Sequence, residues 1–194
     1  MNVEQTTKWL ALFAAKINDN KQYLSDLDSA IGDGDHGMNM ARGTTEMQKA
    51  LEEKQPDTLM DIFKLAGMQL VSKVGGASGP LYGSAFLGMA KAAKDSDDLA
   101  TILEAGLEGI QKRGKAVAGE KTMIDTWVPV IAAVKANELT KEVVEQAAQS
   151  TIDMQATKGR ASYLGERSIG HLDPGSVSSQ YLFETMIEAG VINE

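Results

Sequence analysis

Apolar residues recur at helical spacing along almost the whole chain, and this period constrains the fold more than any other feature. Leu10, Phe13, Ala14 and Ile17 fall on one helical face. Further runs with this period cover 38–53, 59–70, 80–94, 99–110, 122–136, 140–157 and 176–189. No segment alternates with a period of two between turn residues. The sequence therefore predicts an all-α fold of about eight helices.

The composition excludes several classes of function. A chain of 194 residues can bury the core of a single domain, here residues 1–194. There is no cysteine, which excludes thiol catalysis and disulfide scaffolding. A net charge of −8 argues against nucleic-acid binding, which needs clustered Lys and Arg. No apolar run approaches the ~20 residues of a bilayer span, and there is no secretory signal, so we expect a cytoplasmic protein without membrane contact.

Three carboxylates crowd into one short segment broken by glycines. Asp28, Asp33 and Asp35 lie within eight positions of one another along the chain. Such carboxylates repel one another unless a cation lies among them, and Mg²⁺ is usually held by carboxylates together with the phosphates of a nucleotide. The segment is consistent with a metal–phosphate site. A solvated acidic turn is the alternative, because Asp-Gly pairs form turns readily.

Three known motifs fail at these and neighbouring residues. An EF-hand loop starting at Asp33 needs a glutamate where Thr44 stands. The segment 32–37 matches the dinucleotide pattern of glycines, but no strand precedes it and its aspartates would repel a pyrophosphate. The segment 109–116 nearly matches a P-loop, but Ala116 lacks the hydroxyl that binds Mg²⁺.

Two helix starts offer backbone amides to an anion. The glycine-rich segment 75–79 leads into Pro80, a favoured first helical residue, and a second helix starts at 37–39 beside the aspartates. Free amides at a helix start bind phosphate without basic side chains. His36 and Arg160 could add hydrogen bonds. For the glycine cluster taken alone, an ordinary interhelical turn is the alternative.

The same segments carry a family resemblance. Residues 28–43 contain Asp-Gly-Asp-His-Gly-Met-Asn, residues 75–83 read Gly-Gly-Ala-Ser-Gly-Pro-Leu-Tyr-Gly, and residues 173–176 read Asp-Pro-Gly-Ser. Together they resemble the nucleotide-binding L subunits of dihydroxyacetone kinases, in the right order and over essentially the whole chain. The resemblance implies an antiparallel eight-helix barrel with its nucleotide site in the interhelical loops at one end.

The resemblance also implies a set of site residues. Asp28, Asp33 and Asp35 would hold two Mg²⁺ ions, which grip the phosphates of a tightly bound ADP or ATP. The residues expected to bind the nucleotide are His36, Gly37, Met38, Asn39, Gly76, Ala77, Ser78, Gly79, Gly114, Thr122, Met123, Arg160, Asp173, Pro174 and Gly175. The chain would need no catalytic side chain of its own, because dihydroxyacetone is attached to a histidine of a separate K subunit. Catalysis would be positioning and charge neutralisation.

The implied function is that of an ADP-binding subunit in phosphoenolpyruvate-dependent dihydroxyacetone kinase. An M subunit of the phosphotransferase system would phosphorylate the bound ADP, and the ATP formed would pass its γ-phosphoryl group to dihydroxyacetone on the K subunit. The alternatives are the nucleotide domain of an ATP-dependent dihydroxyacetone or fatty-acid kinase, and a non-catalytic adaptor that senses ADP. The sequence leaves open whether the chain forms a homodimer.

Overall fold

The computed structural model describes residues 1–192, and these form helices joined by turns, with no strand among them. The α-helices are α1 (Val3–Asp19), α2 (Lys21–Ile31), α3 (His36–Lys54), α4 (Leu59–Lys73), α5 (Ser78–Ala93), α6 (Leu99–Gly114), α7 (Ile124–Ala136), α8 (Lys141–Gln149) and α9 (Pro174–Glu188). A 3₁₀ segment spans Arg160–Ser168. The all-α prediction is confirmed.

Five helices start at a side chain that caps the backbone. Asn2, Thr58, Asp98, Thr140 and Asp173 each accept a hydrogen bond from the N–H three residues on. These side chains pair amides that have no partner within the first turn of a helix. Local chemistry therefore sets the starts of α1, α4, α6, α8 and α9.

The helices form a closed ring around an apolar interior. From α3 to α9 each helix packs against the next one in sequence, and α9 returns to pack against α1. Only Asn20 separates α1 from α2, and both contact α3 and α9, so they share one position in the ring. The ring has eight positions in the described residues, and short connections make neighbouring helices antiparallel. The predicted helical barrel is confirmed.

Aromatic side chains fill the interior of the barrel. Trp9 and Phe63 meet edge to face with ring centres 6.2 Å apart, and Trp127 and Phe183 do so at 5.0 Å. All four side chains are completely buried. They come from α1, α4, α7 and α9, so their packing holds helices from around the ring together. Within residues 1–192, no helix has both the length and the apolarity to cross a bilayer.

Three local predictions were wrong. The predicted helix 140–157 ends at Gln149. The Thr151 carbonyl, which would bond the Gln155 amide in a continued helix, accepts instead from the Met154 amide at 3.3 Å and from the Lys121 ammonium. The predicted loop 28–37 is helical as far as Ile31, so Asp28 belongs to α2. The 158–175 connection, predicted as a loop, contains the 3₁₀ segment.

The helices α5 and α6 approach closely through glycines. A Cβ on Gly109 would lie 2.3 Å from the Ser84 carbonyl oxygen, and one on Gly88 would lie 2.3 Å from the Ala105 carbonyl oxygen. Backbone atoms cannot rotate away as a flexible side chain can. The two glycines therefore fix how near α5 and α6 lie.

We expect Gly109→Ala to destabilise the protein by about 1–3 kcal/mol, because α6 must move away from α5. Helix propensity alone would give the opposite sign, since alanine is favoured over glycine by roughly 1 kcal/mol. Urea unfolding followed by circular dichroism measures the change. Glu108→Ala, at the exposed neighbouring position, is the control and should stay within about 0.5 kcal/mol of the parent protein. Stabilisation by Gly109→Ala would contradict the packing described.

Candidate functional site

A cavity of about 820 Å³ opens at one end of the barrel. The helices α3, α5, α7 and α9 all begin at this end, because alternate helices of an antiparallel ring point the same way. The cavity is therefore lined by the first residues of four helices. Their free amides and dipoles favour a bound anion.

The three aspartates come together at the edge of this cavity. One carboxylate oxygen from each of Asp28, Asp33 and Asp35 lies within 4.8 Å of the others. One oxygen of Asp28 accepts from the amides of Asp35 at 2.9 Å and His36 at 3.1 Å, which folds the turn between α2 and α3 around that carboxylate. Burial raises the pKa of Asp28, against the effect of those two amides.

These oxygens suit a magnesium ion. Mg²⁺ prefers hard carboxylate oxygens and is usually bound by one or two of them. A divalent cation would also offset the repulsion from Asp33 and Asp35 that helps to raise the pKa of Asp28. The three carboxylates by themselves thus have the chemistry that a magnesium site needs.

Arg160 reaches the same cluster from the 3₁₀ segment. It is the first residue of the 3₁₀ segment, and its guanidinium lies 2.8 Å from a carboxylate oxygen of Asp33. Gly159 before it has φ of 64°, which glycine adopts without strain. This turn brings a cation within reach of any phosphate held at the aspartates.

The aspartates of residues 28–35 form the first wall of the cavity. The segment 75–78 forms a second wall, against Asn39. A Cβ on Gly75 would lie 2.7 Å from Asn39 Oδ1, so only glycine allows this approach. Asn39 Oδ1 accepts from Arg42 at 2.9 Å, which fixes the amide group. The first amides of α5 follow directly, with Ser78 as its first residue. The wall presents amides rather than charges.

His36 lies between these two walls. Its Nδ1 is 2.9 Å from the Ser78 hydroxyl, and its Nε2 is 3.0 Å from the Ser178 hydroxyl. Burial lowers the pKa of His36 to about 4, partly offset by a hydrogen bond with the Pro174 carbonyl. The imidazole is therefore neutral at pH 7 and contributes no charge to the site.

The third wall joins the start of α7 to the start of α9. Thr122, Met123 and residues 173–175 line it. A Cβ on Gly175 would lie 3.5 Å from that of Met123, so the two segments touch. The Asp173 carboxylate caps α9 through the Ser176 amide, and burial raises the pKa of Asp173 to about 7.

Sequence reasoning missed Lys121, which lines this wall. It is 1% exposed, and its ammonium donates to the carbonyls of Thr151 and His171. Its φ of 62° is left-handed, which is uncommon for a residue with a side chain. Lysine seldom lies inside a protein unless its charge is paired. Nothing in the local sequence marks this lysine as buried.

The structure brings most of the predicted site residues to the cavity. Those that line it are Asp28, Asp33, Asp35, His36, Asn39, Gly76, Ala77, Ser78, Thr122, Met123, Arg160, Asp173, Pro174 and Gly175. Their roles in binding stay predictions. Other lining residues that were not predicted include Ile31, Leu81 and Tyr163.

Four predicted residues lie off the cavity. Gly37 packs against the Lys21 carbonyl, where a Cβ would be 1.8 Å away, and Gly79 packs against Val74 in the same manner. Met38 is 46% exposed and does not line the cavity. Gly114 lies behind Leu81, whose own side chain lines the cavity. These residues shape the loops around the cavity.

Comparison with known proteins links this site to one family. The family described as "DAK2 domain" matches residues 30–188. The chain is 62% identical to "PEP-dependent dihydroxyacetone kinase 1, ADP-binding subunit DhaL" of Listeria innocua, over 95% of each chain. It is 54% identical to the "PTS-dependent dihydroxyacetone kinase, ADP-binding subunit DhaL" of Lactococcus lactis, over 97% of this chain and 98% of the relative.

Among solved structures, the fold resembles the dihydroxyacetone kinase of C. freundii. The complex of that enzyme with AMP-PNP and Mg²⁺ matches with a TM-score of 0.78 and 26% identity, over 94% of this chain. This chain spans only 33% of the C. freundii chain. The likeness therefore concerns one part of a longer enzyme.

We expect Asp173→Asn to flatten the pH dependence of stability. The pKa of Asp173 in the folded protein, about 7, is above its ordinary 3.8. Between these values the folded state holds a proton that the unfolded chain has lost, so stability falls as pH rises from about 4 to about 7. Asparagine keeps the helix cap without this titration.

The fall in unfolding free energy across that window should be smaller in the variant by roughly 1–3 kcal/mol. Urea unfolding at several pH values in EDTA measures it. Asp173→Ala, which loses the cap as well, is the control and should be less stable at every pH. Equal slopes for Asp173→Asn and the parent protein would contradict this account of the buried carboxyl.

Proposed function

The chain belongs to the DAK2-domain family, and on that basis we propose that it is the ADP-binding subunit of a phosphoenolpyruvate-dependent dihydroxyacetone kinase. The relatives from Listeria innocua and Lactococcus lactis carry this function in their names and match almost end to end. We also propose that residues 1–194 act as one ADP- and Mg²⁺-binding domain in the cytoplasm.

One observation carries the proposal: a single cavity combines a carboxylate cluster with the starts of four helices. The aspartates of residues 28–35 supply ligands for a cation, and the amides at the starts of α3, α5, α7 and α9 suit phosphate oxygens. An anion alone would be repelled by the aspartates, and a cation alone would leave the helix starts unused. A metal-bound polyphosphate satisfies both.

The chain's residues would act by positioning and by neutralising charge. Asp28, Asp33 and Asp35 hold two Mg²⁺ ions in this proposal, and those ions supply charge neutralisation for phosphoryl transfer. Arg160, beside Asp33, would hold a phosphate, while the amides at the start of α5 would fix the phosphate chain. No side chain of this subunit needs to form a covalent bond.

The reaction passes a phosphoryl group between two partner proteins. In this proposal the bound ADP would accept a phosphoryl group from the M subunit and pass it to a hydroxyl of dihydroxyacetone on the K subunit, so that dihydroxyacetone phosphate is released and ADP is restored. The exposed mouth of the cavity, where Tyr163 is 87% exposed, is where both partners would dock.

The nucleotide would remain bound as a coenzyme through this cycle. The phosphates would be held at the same time by the carboxylate-bound ions, by amides of several helices and by Arg160. None of these contacts has to break when a γ-phosphoryl group arrives or leaves. We therefore propose that ADP is released slowly compared with turnover.

A second candidate is the nucleotide domain of an ATP-dependent kinase. The likeness to the C. freundii dihydroxyacetone kinase favours it, since that longer chain was solved with AMP-PNP and Mg²⁺. In that case free ATP would exchange in each cycle. A non-catalytic adaptor that senses ADP would bind the nucleotide without supporting turnover.

We expect labelled ADP to stay on the protein through many turnovers. The subunit is loaded with labelled ADP and mixed with purified K and M subunits, dihydroxyacetone and phosphoenolpyruvate-charged carriers. Formation of dihydroxyacetone phosphate, with the label recovered on the protein, supports the coenzyme mode. Full-rate turnover on free ATP without the M subunit would establish the second candidate, and binding without any turnover would establish the adaptor.

We expect Asp33→Asn to abolish tight binding of Mg²⁺·ADP. Ligands that bind only the folded state stabilise it by about 2.7 kcal/mol at one hundred times their dissociation constant, so the variant should lose the ligand-induced rise in melting temperature. EDTA should remove the same rise from the parent protein. Asp26→Asn, on the exposed face of the same helix α2, is the control and should keep it. An Asp33→Asn protein that retains ADP and the full rise would show that the acidic cluster is a solvated turn.

A further inference from the structure

A chain of buried hydrogen bonds runs from the barrel core to His36. The Trp127 indole N–H lies 3.1 Å from Ser179 Oγ, which lies 3.0 Å from the Tyr82 hydroxyl. That hydroxyl is 2.7 Å from Ser178 Oγ, and Ser178 Oγ is 3.0 Å from His36 Nε2. Residues 82, 127, 178 and 179 are completely buried. The proposed function makes no use of any of them.

The proton positions follow from Ser178. Its hydroxyl has one proton and two lone pairs, and its three partners are His36 Nε2, the Tyr82 hydroxyl and the Gly175 carbonyl, the last at 3.1 Å. A carbonyl can only accept. All three bonds form together only when Ser178 donates to Gly175 and accepts from His36 Nε2–H and from Tyr82.

The remaining hydrogen bonds between His36 and Trp127 agree with this assignment of protons. Tyr82 gives its proton to Ser178, so it accepts from Ser179, and Ser179 accepts from the Trp127 indole, which can only donate. Each buried group then has a partner, as buried polar groups require.

The Nδ1 atom of His36 determines whether the Ser78 hydroxyl can donate a hydrogen bond to a ligand or only accept one. His36 is buried, and its two ring nitrogens meet the uncharged hydroxyls of Ser78 and Ser178, so the imidazole is neutral there and, when protonated at Nε2, has an unprotonated Nδ1. The Ser78 hydroxyl, 2.9 Å away, must therefore donate its only proton to Nδ1. Its two lone pairs remain, and Ser78 lines the cavity. Ser78 thus offers a ligand an acceptor rather than a donor.

We infer that Ser178 is a positioning residue that holds His36 in the Nε2–H form and thereby makes the Ser78 hydroxyl a hydrogen-bond acceptor for the ligand. This inference deepens the proposed function and rests on it. Deprotonated phosphate oxygens carry only lone pairs, so the partner of Ser78 is a donor group of the ligand. Three groups of a metal-bound adenine nucleotide qualify: a water on the metal, a ribose hydroxyl and the amino group of the adenine.

The surroundings favour the metal-bound water. The loop that leads to Ser78 passes the aspartates, since a Cβ on Gly76 would lie 3.9 Å from an oxygen of Asp35. His36, the partner of Ser78, follows Asp35 directly in the sequence. The phosphates would then bind the amides at the start of α5, while the Ser78 oxygen orients a water of the metal.

Nitrogen-15 NMR of histidine-labelled protein without ligand tests the proton positions independently of nucleotide binding. The chain has two histidines, and His171→Gln, at an exposed position, assigns the spectrum. We expect His36 to be protonated at Nε2 and unprotonated at Nδ1. Ser178→Ala should raise the fraction protonated at Nδ1, whereas Tyr82→Phe should leave it unchanged. Protonation of Nδ1 in the parent protein, or no change in Ser178→Ala, overturns the inference.

Binding to Ser78→Ala tests the acceptor role. We expect about tenfold weaker binding of Mg²⁺·ADP but no weakening of metal-free pyrophosphate in EDTA, because the lost oxygen offered no donor to it. An equal loss for Mg²⁺·tripolyphosphate assigns the metal-bound water, and a loss confined to ADP assigns a donor of the nucleoside, either a ribose hydroxyl or the adenine amino group. Weaker binding of metal-free pyrophosphate, or no loss with any ligand, overturns the inference. If the parent protein binds no nucleotide but shows the expected His36 protonation, the proposed function fails while the proton arrangement stands.

Discussion

The antiparallel order of the ring is the constraint from which the rest of the structure follows. Alternate helices begin at the same end, so α3, α5, α7 and α9 present their first amides to one cavity. Four positive dipole ends would repel one another unless negative charge lay between them. The exposed Asp33 and Asp35 bring negative charge to this end of the barrel, and the phosphates of the proposed ligand would supply the rest. Fold and site are thus two aspects of one electrostatic arrangement.

The carboxylates do not all respond to this arrangement in the same way. Asp28 and Asp173 are buried, and burial raises the pKa of each. Asp33 is more exposed and pairs with Arg160. Asp28 and Asp173 therefore organise the turns around the cavity by accepting amide hydrogen bonds. Asp33 instead faces the solvent-exposed mouth of the cavity.

The sequence predicted the fold and much of the cavity lining, because both depend on local patterns. Helical spacing specified the all-α class, and aspartate or glycine clusters marked the loops around α3, α5 and α9. Helix ends were harder to predict where distant residues decide them. Helix α8 ends just before Thr151, whose carbonyl accepts a hydrogen bond from Lys121, thirty residues earlier in the chain. The Ser178 to Trp127 hydrogen bonds were likewise invisible, because serine and tyrosine on a helix look like ordinary core or surface residues.

Lys121 has a consequence for how the site is assembled. Its ammonium donates to both carbonyls, of Thr151 and His171, only when residue 121, the turn after α8 and the turn before α9 are all in place. Any partial arrangement leaves a buried charge without partners, which is costly. We therefore expect the segments of the third wall to open as one cooperative unit and to exchange their amide hydrogens together. A binding surface built from three distant stretches of chain gains the rigidity of a single element.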